Sequence, residues 1–232
     1  MAKRPVFYRN DHVPFFSEEM VTFEFHPGFA DVQKQKNIRN IHAAFSASHP
    51  DAKILEISSK SDIALGVQLS AFNLRLKVGG FETSLESAFQ GGKVFRDGGP
   101  YTELLSQPPW IAKKDPRLRE SGPILRFELD GLVFPTEPKT FFYDWLYVNA
   151  VAGNEELSEE LVEYDAFTDV EFNPEKSLNC QARSAAIYVS LVQAGLLKEA
   201  LKSPEDFKRI VYGYDSTNIP VQKVVQEQIS FF

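Results

Sequence analysis

Thr83-Ser84-Leu85-Glu86-Ser87-Ala88-Phe89-Gln90-Gly91-Gly92-Lys93-Val94-Phe95 opens with two residues suited to capping a helix and runs on without proline. This predicts a helix over the whole stretch. At 100° per residue, Glu86, Gln90 and Lys93 stand at i, i+4 and i+7 and form one polar line. Leu85, Phe89 and Gly92 make the neighbouring line, Ala88 and Phe95 take the far side, and Val94 covers the remaining flank. A polar line so nearly enclosed by apolar surface is the pattern of a buried helix. The competing reading is a solvated face whose charges sit outside, and periodicity alone does not separate the two. Adjacent glycines inside a helix cost about 1 kcal/mol each relative to alanine. Gly91-Gly92 therefore calls for the close approach of another backbone or a ligand. Glu86 and Lys93 lie roughly 10 Å apart along the axis, too far for a simple ion pair, yet their side chains can converge on a group held between them.

The same stretch resembles the signature helix of the NADAR (NAD- and ADP-ribose-associated) family, in which a Glu is followed by an aromatic-Gln pair, then Lys and an aromatic residue. Glu86, Phe89-Gln90, Lys93 and Phe95 match that order, with Val94 standing between the lysine and the last aromatic. Upstream, Leu69-Ser70-Ala71-Phe72 is similar to the family's Leu-Ser-Asn-Phe element, with Ala71 in place of its asparagine. Tyr164 in a loop and Gln181 in the first turn of a helix match the family's C-terminal segment, whose Trp-Gly pair and Gly-rich run are absent. The resemblance covers roughly residues 53–195 and is greatest to the NADAR antitoxins paired with DarT-type DNA ADP-ribosyltransferase toxins.

The resemblance implies a single α+β domain over residues 1–232, helix-rich around a small sheet. It also implies an ADP-ribosyl-guanine glycohydrolase that strips ADP-ribose from guanine in DNA, needs no cofactor or metal, and opposes a DarT-type toxin. In that scheme Lys93 attacks the ribose anomeric carbon through a Schiff-base-type intermediate. Glu86 acts as acid/base or orients the ribose hydroxyls, and Gln90 holds substrate. Further substrate contacts fall on Ser58, Ser70, Phe72, Tyr164 and Gln181.

Composition bounds the rest. The 232 residues are 43% hydrophobic and 13% aromatic, enough for one large domain or two small ones. Met1-Ala2-Lys3-Arg4-Pro5 leads into mixed polar and aromatic residues rather than an apolar signal segment, and no apolar run approaches a membrane span. A single cysteine, Cys180, excludes an internal disulfide and fits a reducing compartment, so a soluble cytoplasmic protein is expected. A net charge of −7 argues against broad, non-specific nucleic-acid binding. It leaves room for an enzyme that visits DNA briefly. The one dense basic segment, Lys113 to Arg119, reads as a solvated loop or as a phosphate-contacting rim.

Along the chain, Met20 to Phe25 alternates as a strand, and Asp31 to Ser48 carries helical spacing with His42 and His49 expected at the surface. Lys53 to Ser58 is a strand whose polar exit suits a phosphate or ribose contact, or a plain turn. Leu74 to Val78 is a strand closed by Gly79-Gly80, and Asp97-Gly98-Gly99-Pro100 stops the signature helix. Pro108 to Arg119 reads as a long irregular connection, and Ile124 to Phe134 as a hairpin around Asp130-Gly131. The aromatic-dense Phe141 to Tyr147 is core, or a base-stacking surface. Glu155 to Val162 is an acidic helix, Tyr164 to Pro174 a loop, and Ser177 to Leu197 a helix with Asn179, Gln181 and Arg183 at an anion-favouring N-terminus. Ser203-Pro204 caps a further helix, and Val224 to Phe232 is apolar enough to dock on the body or a partner.

Phosphate loops, Cys-x-x-Cys, His-Glu-x-x-His and Gly-x-Ser-x-Gly are all absent from the chain. Cys180 reads as a buried inert thiol, and four scattered histidines give a metal little support. What remains is Lys93 with Glu86. A lysine in apolar surroundings has its ammonium form disfavoured, which frees the amine as a nucleophile. Two other classes stay open: a module that binds ADP-ribose or NAD without hydrolysis, and an antitoxin that works by direct contact through its acidic surface and Phe231-Phe232.

Overall fold

A computed structural model describes residues 1–214. In chain order the elements are β1 (Ala2–Tyr8), β2 (Ser17–Phe23), α1 (Asp31–Ser46), β3 (Ile54–Glu56), α2 (Ala64–Gln68), β4 (Arg75–Val78), β5 (Phe81–Ser84), α3 (Leu85–Gly91) and β6 (Lys93–Phe95). A 3-10 turn (Thr102–Ser106) leads to α4 (Pro109–Ala112), α5 (Arg117–Glu120), β7 (Ile124–Leu129), β8 (Leu132–Phe134), α6 (Phe141–Ala152), α7 (Glu155–Leu161), β9 (Ala166–Thr168), α8 (Gln181–Gln193), α9 (Leu197–Ala200) and α10 (Pro204–Tyr212). The fold is α+β. The small sheet expected from the sequence is divided into three among the described residues: β2-β1-β9-β3, the hairpin β4-β5, and β6-β7-β8. None of the described helices is long and apolar enough to cross a membrane.

The four-stranded sheet separates two cores because successive residues of a strand point to opposite faces. Val6, Val21, Phe23 and Ala166 meet Ile38, Ile41 and Phe45 of α1 on one face. Phe7, Leu55 and Phe167 meet the aromatic and small residues of α6 and α8 on the other. Phe141 to Tyr147 is therefore core: Phe142 stacks on Phe127 with ring centroids 4.7 Å apart, and Phe89 stacks on both. β3 and β9 run parallel, so Ser58 and Asp169 leave the same end of the sheet.

Several expectations change for physical reasons. The signature helix stops at Gly92, because the Gly92 carbonyl accepts from the Glu128 N–H at 2.7 Å and Lys93 to Phe95 pairs with β7. The expected loop after Tyr164 holds β9, three residues made into a strand by pairing with β1 and β3. The helix expected over 177–197 is shorter, Gln181–Gln193, and the connection expected to be irregular carries α4 and α5. His42 is half-buried rather than exposed: its Nε2 lies 2.9 Å from Thr168 Oγ1, and burial pushes its pKa down to about 4. His49 is half-buried and stacks on Phe45 at 4.1 Å. The Gly79-Gly80 turn has φ of 55° and 87°, the left-handed pair that closes a two-residue hairpin. Val224 to Phe232 lies outside the described residues.

The paired glycines have the neighbour they called for. A Cβ on Gly92 would lie 2.8 Å from the Phe142 ring and 3.1 Å from the Glu128 carbonyl oxygen. On Gly91 it would lie 2.5 Å from Leu105 Cδ1, the movable end of a side chain. Gly92→Ala is expected to cost about 1–3 kcal/mol through overpacking, and Gly91→Ala less. Urea unfolding of the two variants measures the difference, and equal midpoints would show that the approach of β7 does not demand glycine.

Candidate active site

Ser84 ends β5 and caps α3, its Oγ accepting from the Ser87 N–H at 3.1 Å. The N–H groups of Leu85 and Glu86 donate to the carbonyls of Leu74 and Ala71, each at 2.9 Å. The first turn of α3 is thus satisfied by the segment that carries Ser70 and Phe72. The alanine that replaces the family's asparagine joins this arrangement through its backbone. Along the helix, Gln90 Nε2 donates to Glu86 Oε1 at 2.8 Å, and Lys93 Nζ donates to Gln90 Oε1 at 2.6 Å. The polar line is therefore continuous, buried at Glu86 and Gln90 and half-buried at Lys93. Glu86 and Lys93 are joined through the Gln90 amide rather than to each other.

These residues line a cleft of about 860 Å³, within the size of sites that take drug- or nucleotide-sized ligands. Lys93 Nζ lies 4.6 Å from the centre of the Phe89 ring. Burial lowers the Lys93 pKa to about 8; Glu86 opposes that shift and Lys113 adds to it. Lys113 Nζ reaches in from beyond α4 to 3.6 Å from Glu86 Oε1 and 5.1 Å from the centre of the Phe72 ring. Tyr143 forms part of the wall, its hydroxyl held protonated by burial and by Glu86.

Seven of the eight residues singled out from sequence surround this cleft: Glu86, Gln90, Lys93, Ser58, Ser70, Phe72 and Gln181. Gln181 spends most of its amide on the wall itself, accepting from the Ala71 N–H at 2.7 Å and donating to the Ile57 carbonyl at 2.6 Å. Ser70 Oγ likewise donates to the Val67 carbonyl. Tyr164 is the exception. It closes α7 with its N–H on the Leu161 carbonyl and packs half-buried on the main core, away from the cleft. The tyrosine that faces the cleft is Tyr143 on α6. Arg183, expected at an anion-favouring helix end, turns away to pair with the buried Asp144 at 3.1 Å. Cys180 is buried and its thiol is pushed well up by burial.

Sequence reasoning missed two acids at the sheet end. Asp169 lines the cleft and accepts from the N–H groups of Glu171 and Phe172. Burial first, then Glu56, raises its pKa well above the carboxylate range. Glu56 lies behind it, fully buried, accepting from Thr168 Oγ at 2.6 Å and the Val170 N–H at 2.8 Å, and burial raises its pKa too. The polar strand exit that singled out Ser58 would have found Asp169, had β9 been read as a strand. Asn179, also on the lining, has a buried side-chain oxygen with no partner among the described residues.

Five lysines (60, 93, 113, 139 and 176) face three acids (Glu86, Asp169 and Glu171) on the lining of a chain whose net charge is −7. The cleft concentrates positive charge on an acidic molecule, an arrangement suited to a small anionic ligand. Its groups supply a half-buried amine of lowered pKa, a carboxylate, an amide between them and an aromatic wall. No curated protein matches the chain significantly. The model of the DarT1-associated NADAR antitoxins matches residues 2–220, nearly the whole chain and well beyond the segment of first resemblance, and the protein belongs to that antitoxin family.

Proposed function

We propose that this antitoxin is an ADP-ribosyl-guanine glycohydrolase acting in the cytoplasm on DNA modified by a DarT-type toxin. The observation that carries the reading is Lys93: an amine whose pKa is lowered to about 8 by burial, set in a cationic cleft beside Glu86 and Gln90. A neutral amine at that position can attack the anomeric carbon of the distal ribose. The new C–N bond forms as the bond to guanine breaks. Glu86 takes the proton shed by the amine and delivers it to the departing guanine nitrogen. Ring opening gives an imine to Lys93, and water then restores the free amine and releases ADP-ribose. Gln90, which bridges the two groups, orients the ribose between them. Ser58, Ser70 and Phe72 border the ligand, and Gln181 keeps that border in place.

The test is release of free ADP-ribose from a guanine-ADP-ribosylated oligonucleotide. Binding of ADP-ribose with no release would leave a reader module instead. The pH dependence is a second expected result. The nucleophile works deprotonated, so the single-turnover rate should rise about tenfold per pH unit below the Lys93 pKa and level off above about 8. A rate that is flat from about pH 6 to about pH 9 would remove Lys93 as the nucleophile.

A further inference from the structure

α4 presents an aromatic side chain to solvent beside the cleft. Trp110 is 58% exposed and Ile111 is 50% exposed, in a helix held down by the buried Pro109 and Ala112. Trp110 and Lys113 stand at i and i+3, so they share one side of this turn, and the Lys113 ammonium reaches the Glu86 carboxylate inside the cleft. Trp110 is not itself part of the cleft lining; it stands on the turn that carries Lys113 into the cleft. The segment leading to it is fixed to the signature region by two hydroxyl bonds, Ser87 Oγ to the Gln107 carbonyl at 2.8 Å and Thr83 Oγ1 to the Leu105 carbonyl at 2.6 Å. The following turn is locked as well: Arg117 pairs with Asp115 and Glu103 and lies over the Tyr101 ring. Lys114, next to Lys113, is exposed and has no ionic partner among the described residues.

An exposed indole on a rigid turn, flanked by lysines on an otherwise acidic chain, has the chemistry of a base-stacking platform with a phosphate contact. We infer that Trp110 and Lys114 dock single-stranded DNA, Trp110 stacking on a nucleobase next to the modified guanine and Lys114 meeting the backbone phosphate. This inference rests on the proposed action on guanine in DNA and extends it. The cleft holds the ADP-ribosyl group, and the turn beside it holds the strand. A duplex keeps its neighbouring bases stacked on each other, so the platform selects unpaired DNA. The low overall charge also fits: contact is confined to one short basic turn, and binding needs the modified base for most of its strength.

The experiment compares two substrates, an ADP-ribosylated guanine mononucleotide and the same adduct within a short single-stranded oligonucleotide. With one base stack lost, Trp110→Ala should lower kcat/KM on the oligonucleotide roughly tenfold. It should leave the mononucleotide within about twofold, and Trp110→Phe should restore most of the loss. Lys114→Ala should weaken the salt dependence on the oligonucleotide alone. Equal losses on both substrates would show that Trp110 only supports α4, and no loss on either would show that the strand does not touch it. Unchanged cleavage with lost binding to the purified toxin would assign the surface to a protein partner and overturn the inference. Quenching of Trp110 fluorescence by the ADP-ribosylated oligonucleotide and not by the modified mononucleotide, with Trp145 as the buried background, separates the two readings. Quenching without release from any adduct would sink the glycohydrolase and keep the docking surface, whereas release without quenching would do the reverse.

Discussion

Lys93→Met is expected to abolish ADP-ribose release, by on the order of 10³-fold or more, while making the protein more stable at neutral pH. The two effects have one cause. Burial holds the Lys93 pKa near 8 against an ordinary 10.5. At neutral pH that difference corresponds to a destabilisation on the order of 3 kcal/mol. Partial access to solvent in the cleft brings this to about 1–2 kcal/mol. The sign follows from the protons bound. Below about pH 8 the lysine is charged in both folded and unfolded chains, and the full cost of burying the ammonium stands. Between about 8 and 10.5 the unfolded chain keeps a proton that the folded one has lost, so wild-type stability rises with pH. The advantage of Lys93→Met should therefore be greatest below about pH 8 and fade toward 10.5. Urea midpoints measured across that range check it. Borohydride added during turnover should link ADP-ribose to the wild-type chain through a reduced imine and leave the variant unlabelled. A variant that is inactive but no more stable at pH 7 would mean that the amine is not held in an apolar setting.

The way Lys93 reaches the cleft shows what could be read ahead of the structure. Glu86 and Gln90 were legible because four-residue spacing on one helix fixes neighbours without help from elsewhere. Lys93 lies beyond the helix, in β6, yet its side chain continues the same line. Gly92, the C-cap, keeps right-handed helical backbone (φ −78°, ψ −5°), so the chain turns once more before it straightens. The hairpin at Asp130-Gly131 was legible for a similarly local reason, with φ of 51° and 75° at the two turn residues. β9 was not. Ala166, Phe167 and Thr168 carry too short a pattern to announce a strand and become one only between β1 and β3, more than 100 residues away. Asp169 is hidden with it, and Tyr164, which the resemblance to the family's C-terminal segment points to, packs on the core instead. Tyr143 was hidden differently. It sits in an aromatic run whose every member looks like core, and only the packing of α6 shows which ring faces the cleft.

The largest loss of stability is expected from Asp144→Ala, at a position with no contact to the ligand cleft. Asp144 on α6 is fully buried. It accepts from Arg183 at 3.1 and 3.2 Å, from Ser184 Oγ at 2.5 Å and from the Tyr212 hydroxyl at 2.6 Å. One carboxylate thus ties α6 to α8 and α10. Removing it leaves the Arg183 guanidinium buried with no counter-charge, a change that costs about 3–5 kcal/mol. Asp144→Asn keeps the shape and part of the bonding and should cost less. Replacing both partners by apolar residues, Asp144→Leu with Arg183→Met, should recover much of the stability, because the guanidinium and the carboxylate are then never taken out of water. Thermal or urea unfolding of the single and double variants gives the coupling directly. The network also bears on chemistry by position. Asp144 follows Tyr143 in α6, and Arg183 stands two residues after Gln181 in α8, so the same tie fixes the azimuth of two helices that wall the cleft. Asp144→Asn, which leaves the fold populated, should therefore raise KM more than it lowers kcat. A fall in kcat with KM unchanged would mean that the helices hold the transition state through contacts this network does not control.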